Sequence, residues 1–330
     1  MAITLQEINA LRQKTQAGLM DCKKALTEAN GDMEAAMEIL RKKGQMVAAK
    51  RSDREAAEGC VLAKVDGNFG AMIALKCETD FVAKNAEFVE LTNKIIDAAV
   101  AARCKTLEEV KALDIDGVPA AEAVVNRSGV TGEKMELDGY ATVEGEKVVA
   151  YNHMNQSFLC TLVAFNKACD DELAKGIAMQ VAAMSPIALD ESKISDEDKA
   201  KELAAIIDKT KEDEVKRAIE NAIKKAGINP NLVDSDDHIS SNITKGYITE
   251  EEGAKAREII AAVEPEARQN LNEKKIEMIA QGRLNKYYKE VCLLNQAYID
   301  DSKVTVAQYL ASVDKELTVT DFKRFTLRSE

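Results

Sequence analysis

Tryptophan is absent from this chain, and only 4% of its residues are aromatic, so few side chains can act as stacking platforms for bases. Positive charge is also scarce. Against 57 Asp and Glu stand 45 Lys and Arg, a formal net charge of -12 that repels phosphate backbones. Direct nucleic-acid binding is therefore not expected. The basic run Arg41-Lys42-Lys43 reads as the last turn of a helix complementing its dipole, with a patch for an acidic protein as the alternative. Histidine occurs only as His153 and His238, far apart in sequence, which gives no zinc pair and no Cys/His nucleophile. Cysteines Cys22, Cys60, Cys77, Cys104, Cys160, Cys169 and Cys292 are odd in number, form no CxxC pair and have no His at ligand spacing. Neither a disulfide framework nor a metal site is indicated. P-loop spacing, a GxSxG elbow and a GxGxxG after a strand are all missing, so an enzyme has little support and no cofactor is expected. There is no apolar run of about 18 residues, and Met1-Ala2-Ile3-Thr4 lacks a basic region followed by an apolar stretch. The expectation is a reduced, cytoplasmic protein without membrane contact.

What is present is most concentrated in Glu78-Thr79-Asp80-Phe81-Val82. Ala71 to Cys77 alternates like a strand, while Asn85 is placed to cap a helix whose Phe88, Leu91 and Ile95 recur at helical spacing. An acid and a large aromatic therefore sit at a strand-to-helix corner. Such corners run over the surface, where an aromatic can plug into another protein. On composition alone the preferred reading is that Phe81 folds back into its own core, large apolar residues being mostly buried.

The length of 330 residues predicts two or three domains. Thr4 with Glu7 makes a capping box, and Ile3 with Ile8 fits a hydrophobic staple, predicting a first helix that ends near Thr15. A second follows Gly18. A third, capped by Asp32, is expected to stop at Gly44. This gives a three-helix module over residues 1–45 and a charged linker over 46–58. From Gly59 the period becomes two, and Asp66-Gly67-Asn68 supplies a hairpin turn. Helices over Ala86–Ala102, from the Thr106/Glu109 capping box, and over Ala120–Asn126 precede a strand over Lys134–Val143, completing a first α+β lobe at 59–144. Strands at Val148–Asn152 and Phe158–Phe165, then a helix over Asp170–Met184, repeat that order. A duplicated sheet-plus-helix unit is plausible from the order, although no residue-level repeat is visible. This second lobe, 145–199 and 264–330, is interrupted at 200–263 by a charged segment with a narrow apolar stripe and a Thr249/Glu252 capping box, expected to be two antiparallel helices in a projecting arm. The arm reads equally as a dimerisation or partner surface and as a spacer. After it come the end of a helix at Gly282–Tyr288, an extended segment within Glu290–Ile299, a helix over Val304–Val313 and a last strand over Val319–Leu327. His238 reads as a solvated loop residue and His153 as a surface turn residue. The residues alone give a multidomain α+β interaction protein with an acid-aromatic corner.

Leu11-Arg12-Gln13-Lys14-Thr15, then Gly18-Leu19-Met20-Asp21-Cys22-Lys23-Lys24-Ala25-Leu26, resembles the N-terminal signature of the translation elongation factor Ts family. Thr79-Asp80-Phe81-Val82-Ala83-Lys84 is similar to its second signature, and Gly282-Arg283-Leu284 through Gln296, Tyr298 and Ile299 to its C-terminal region. The resemblance implies a ubiquitin-associated-like N-terminal module, two core subdomains and a coiled-coil insertion. It further implies guanine nucleotide exchange on elongation factor Tu, bound both with GDP and free of nucleotide, without covalent chemistry. The implied partner contacts are Thr79, Asp80, Phe81 and Val82 at a corner that disturbs the partner's magnesium site. Others are Arg12, Leu19, Met20 and Lys23 on the module, Gly132, and His153, Tyr298 and Ile299 on the second lobe. The resemblance reverses the preference at Phe81, from core residue to wedge. The chain departs from the family pattern at Gln16, Ala74, Lys76, Ala297 and Tyr298, and the expectation is that no contact comes from the further helical module that some members carry after the last strand. Dimerisation through the arm stays open, as does the alternative of an adaptor that binds without altering nucleotide affinity.

Overall fold

The computed structural model describes residues 3–15, 17–155 and 157–328, so Gln16, Gln156 and both chain ends lie outside the described residues. Two compact units emerge: Met1–Leu189 with Gln296–Glu330, and Asp190–Asn295.

In the first unit the Thr4/Glu7 capping box forms as expected, with Thr4 N donating to Glu7 Oε2 at 2.7 Å and Glu7 N to Thr4 Oγ1 at 3.3 Å. It opens α1 (Leu5–Thr15), followed by α2 (Leu19–Glu28) and α3 (Met33–Lys50), whose cap Asp32 accepts from Ala35 N at 3.0 Å. These helices close on Ile8, Leu11, Cys22, Leu26 and Ala36. Helix α3 does not stop at Gly44; it continues to Lys50 and takes up the start of the expected linker. An interior glycine costs a helix about 1 kcal/mol. Here the missing side chain lets α3 lie against a later helix, because a Cβ on Gly44 would meet the carbonyl oxygen of Val125 at 3.0 Å.

Strands β1 (Glu58–Asp66) and β2 (Phe69–Cys77) pair antiparallel through a two-residue loop in which Gly67 takes φ +57°. Then come α4 (Asp80–Ala83), α5 (Ala86–Ala101), α6 (Leu107–Ala112), the two-residue strands β3 (Asp114–Ile115) and β4 (Val118–Pro119), α7 (Ala120–Thr131) and β5 (Met135–Glu144). The sheet has the order β1-β2-β5, all antiparallel. Alternation along β2 sends Ala71, Ile73 and Leu75 into a core shared with Phe88, Ile95 and Val110 of α5 and α6. Met72 and Ala74 face the other way. There they join Val148, Cys160, Leu162 and Ala164, so that a second sheet packs on the back of the first.

The second sheet is built from β6 (Lys147–Asn152) and β7 (Leu159–Phe165), with α8 (Asp171–Met184) after them. The chain then leaves for the second unit: α9 (Asp196–Lys225), α10 (Asp236–Thr244), α11 (Glu250–Gln269) and α12 (Glu273–Val291). It returns as β8 (Ala297–Tyr298), β9 (Asp301–Thr305), α13 (Val306–Val313) and β10 (Val319–Thr326), which pairs with β7 to give the order β10-β7-β6. Both sheets thus place a hairpin first and take their third strand from beyond the helices, the same order twice.

The second unit exceeds the expected arm at both ends. Helix α12, assigned from sequence to the second lobe, packs along α9: Arg283 donates to Thr210 Oγ1 at 3.1 Å and to Asp213 Oδ2 at 2.6 Å. Helices α9, α10 and α11 share a small core of Ile223, Ile239, Ile248 and Ala256, and Thr249 and Glu252 form their capping box. The segment at Glu290–Ile299 is mostly not extended; after α12 it makes a 3-10 turn at Leu293–Asn295 before the short β8, burying Cys292 and Leu293.

Candidate functional site

Strand β2 ends at Cys77 opposite Met135 of β5, and the chain must turn there to enter α5. Thr79 caps the four-residue α4, its Oγ1 accepting from Val82 N at 3.5 Å. The single turn splits its side chains by direction. Val82 and Ala83 pack on the core under the sheet, whereas Phe81 is 83% exposed. Phe81 is therefore not a core residue. Asp80 accepts from Lys84 Nζ at 2.7 Å, and this bond with the lysine charge holds its carboxyl below the usual aspartate range.

One turn of helix cannot hold its own geometry in water. The base of this one is gripped by two carboxylates. Glu133 accepts from Thr79 N at 3.1 Å and from Thr79 Oγ1 at 2.7 Å. Glu78 accepts from Lys134 N at 2.6 Å and from Arg51 Nη1 at 2.8 and 2.9 Å. The backbone bond from Lys134 lowers the Glu78 carboxyl, with Arg51 adding to it. Lys134 also reaches back, its Nζ donating to the carbonyl oxygens of Ser52 and Arg54 at 2.9 Å each. The end of α3, the corner and the start of β5 thus form one polar network.

Gly132, one of the residues singled out from sequence, ends α7 in the left-handed region at φ +75°, immediately before Glu133. It therefore belongs to the same corner as Thr79. Arg12 on α1 and Leu19, Met20 and Lys23 on α2 all point to solvent. His153 lies half-buried in a 3-10 turn after β6, where Tyr151 OH and its Nδ1 are 2.9 Å apart and its ring meets those of Tyr151 and Phe158 edge-on. Tyr298 is 6% exposed and stacked on Tyr309 at 4.1 Å, and burial pushes its phenol up. Only Ile299 beside it, 37% exposed, offers surface, and its N–H is fixed by Gln180 Oε1 at 2.8 Å. Apart from Gly132, these residues sit on elements other than those of the corner.

Sequence reading missed Glu133, Lys134, Arg51 and Gln180. The acids flanking the corner were the one visible signal for the first three. Cys77 is fully buried: burial, with Glu133 nearby, pushes its thiol up to about 12, and it donates to Thr79 O at 3.2 Å. Among the described residues no group of three or more His, Cys, Asp or Glu is arranged to hold a metal ion, and no helix is long and apolar enough to cross a membrane. A cleft of about 470 Å³ lies between α3 and α7, but its Arg41, Lys43 and Lys94 are each held by acids within 2.6–2.7 Å.

The family model described as Elongation factor TS matches residues 78–329, beginning at the corner itself. The protein "Elongation factor Ts" of Bacteroides thetaiotaomicron is 61% identical over 330 residues, covering all of both chains, as is that of Bacteroides fragilis. The protein of the same name from Porphyromonas gingivalis is 44% identical over 331 residues, again covering all of both.

Proposed function

Because the chain belongs to the elongation factor Ts family, we propose that it is a guanine nucleotide exchange factor for elongation factor Tu and that the corner at Thr79–Val82 drives GDP release. The observation that carries the reading is an exposed Phe81 on a base tied down by Glu78 and Glu133. GDP is held on a GTPase largely through phosphate and magnesium contacts, so a wedge that shifts the supporting structure weakens both together. Phe81 is that wedge. Asp80 binds partner groups on the displaced structure, its carboxylate being paired with Lys84 at 2.7 Å in the free factor. The module contributes Arg12, Leu19, Met20 and Lys23 to a first contact, and the second lobe contributes Ile299 and His153, with Tyr298 buried behind Ile299 as its support.

No bond is made or broken. The factor favours the nucleotide-free partner, and by reciprocity GDP weakens the factor's hold by the same coupling energy. Either guanine nucleotide therefore expels the factor. Release of labelled GDP from elongation factor Tu tests the reading: micromolar factor should accelerate it well above the intrinsic rate. Binding without acceleration would replace exchange with a mere adaptor, and neither would remove the partner.

A further inference from the structure

Glu78 and Glu133 form a reciprocal clasp across the ends of two paired strands. Each carboxylate follows or precedes a strand end and takes the backbone N–H beside the other: Glu133 accepts from Thr79 N, and Glu78 accepts from Lys134 N. Bonds from backbone N–H groups to carboxylates are charge-assisted and about twice as strong as neutral ones. Glu133 does more than hold a backbone. By accepting the Thr79 hydroxyl proton at 2.7 Å it turns the Thr79 lone pairs toward Val82 N, and so sets the cap of the turn that carries Phe81. Glu133 is itself fixed, since its N donates to Thr131 Oγ1 at 3.3 Å and its carbonyl oxygen accepts from Ser128 Oγ. On the other side Arg51 fixes Glu78 from the end of α3.

We propose that Glu133 is a positioning residue for nucleotide exchange: it touches neither nucleotide nor partner, but holds the α4 turn so that Phe81 does not yield when the partner pushes back. A wedge that recoils transmits no displacement, so preorganisation of its base should appear in the rate and not in the affinity. This rests on the exchange reading above.

The test is GDP release from elongation factor Tu at varied concentrations of full-length factor, using wild type, Phe81→Ala, Glu133→Ala, Glu133→Gln and the Phe81→Ala/Glu133→Ala double variant. Loss of a capping interaction predicts that Glu133→Ala lowers the maximal release rate about tenfold while the half-saturating concentration stays within about twofold. Glu133→Gln keeps one acceptor and should recover part of the rate, which also answers any folding defect in the alanine variant. If Glu133 works through Phe81, the double variant should be no slower than Phe81→Ala alone. An inactive wild type would overturn the exchange reading. An active wild type with Phe81→Ala slow and Glu133→Ala normal would overturn the positioning role alone, as would losses that simply multiply in the double variant or a change confined to the half-saturating concentration.

Discussion

Phe81 has nothing to hold it on its own chain, so truncating it removes little native packing and should leave thermal stability within about 0.5 kcal/mol of wild type. As the wedge proposed above, it would realise its energy only against the partner. Phe81→Ala should therefore slow exchange more than it weakens binding, with a loss of roughly 2 kcal/mol, about thirtyfold in rate. Stopped-flow release and calorimetric binding measured on the same variant decide it; equal losses in both would contradict a wedge. The strand-to-helix turn was legible because the strand period before it ends where the helix period begins; the exposure of Phe81 was not, since composition favoured burial and only the family resemblance reversed that. Nor was the clasp behind the turn legible. Glu133 meets Thr79 across 54 residues, a contact fixed by the pairing of β2 with β5 that no local period encodes. Tyr298 fails differently, since nothing in its neighbourhood shows that Tyr309 will stack on it and shut it away.

At the scale of elements, capping boxes were the reliable guides: those at Thr106 and Thr249 form, and so does that at Thr4. Gly44 misled because glycine signals a helix end by conformation, whereas here it serves a crossing with α7. A Cβ on Gly129 would lie 2.5 Å from the Gly44 Cα, a backbone atom that cannot rotate aside. Gly129→Ala must push the two helices apart, at a cost of about 1–3 kcal/mol. For a unit of this size the expected fall in melting temperature is about 2–4 °C per kcal/mol. Gly282→Ala is the control, because nothing lies within 4 Å of a Cβ there and the interior of α12 suits alanine. A scan showing Gly129→Ala as stable as wild type would mean that the crossing tolerates separation.

Across the molecule the charge pattern has one sign of consequence in acid. Backbone N–H groups lower the carboxyls of Glu7, Glu78, Glu252 and Asp314, and Arg41 and Lys105 lower those of Glu38 and Glu144. Each binds its proton less readily folded than unfolded. Their stabilisation is therefore complete above the ordinary carboxylate range and is lost as pH falls through the lower folded values. The urea midpoint should be lower at about pH 3.5 than at about pH 6, and an unchanged midpoint would show these bonds to be matched in the unfolded chain. The α+β class was readable from alternating periods; the extent of the second unit was not, because α12 carries a helical stripe that suits either neighbour.

Gln296 closes the first unit where the chain comes back to it. Its Nε2 donates to the carbonyl oxygen of Met184 at 3.0 Å and its Oε1 accepts from Gln180, so the returning chain is sutured to the end of α8, a few residues from where Asp190 departed. The lobe's ladder from β7 to β10 is sealed without help from the excursion. The register of the second sheet is therefore set by strands on either side of residues 190–295, and the chain between them carries none of its pairing.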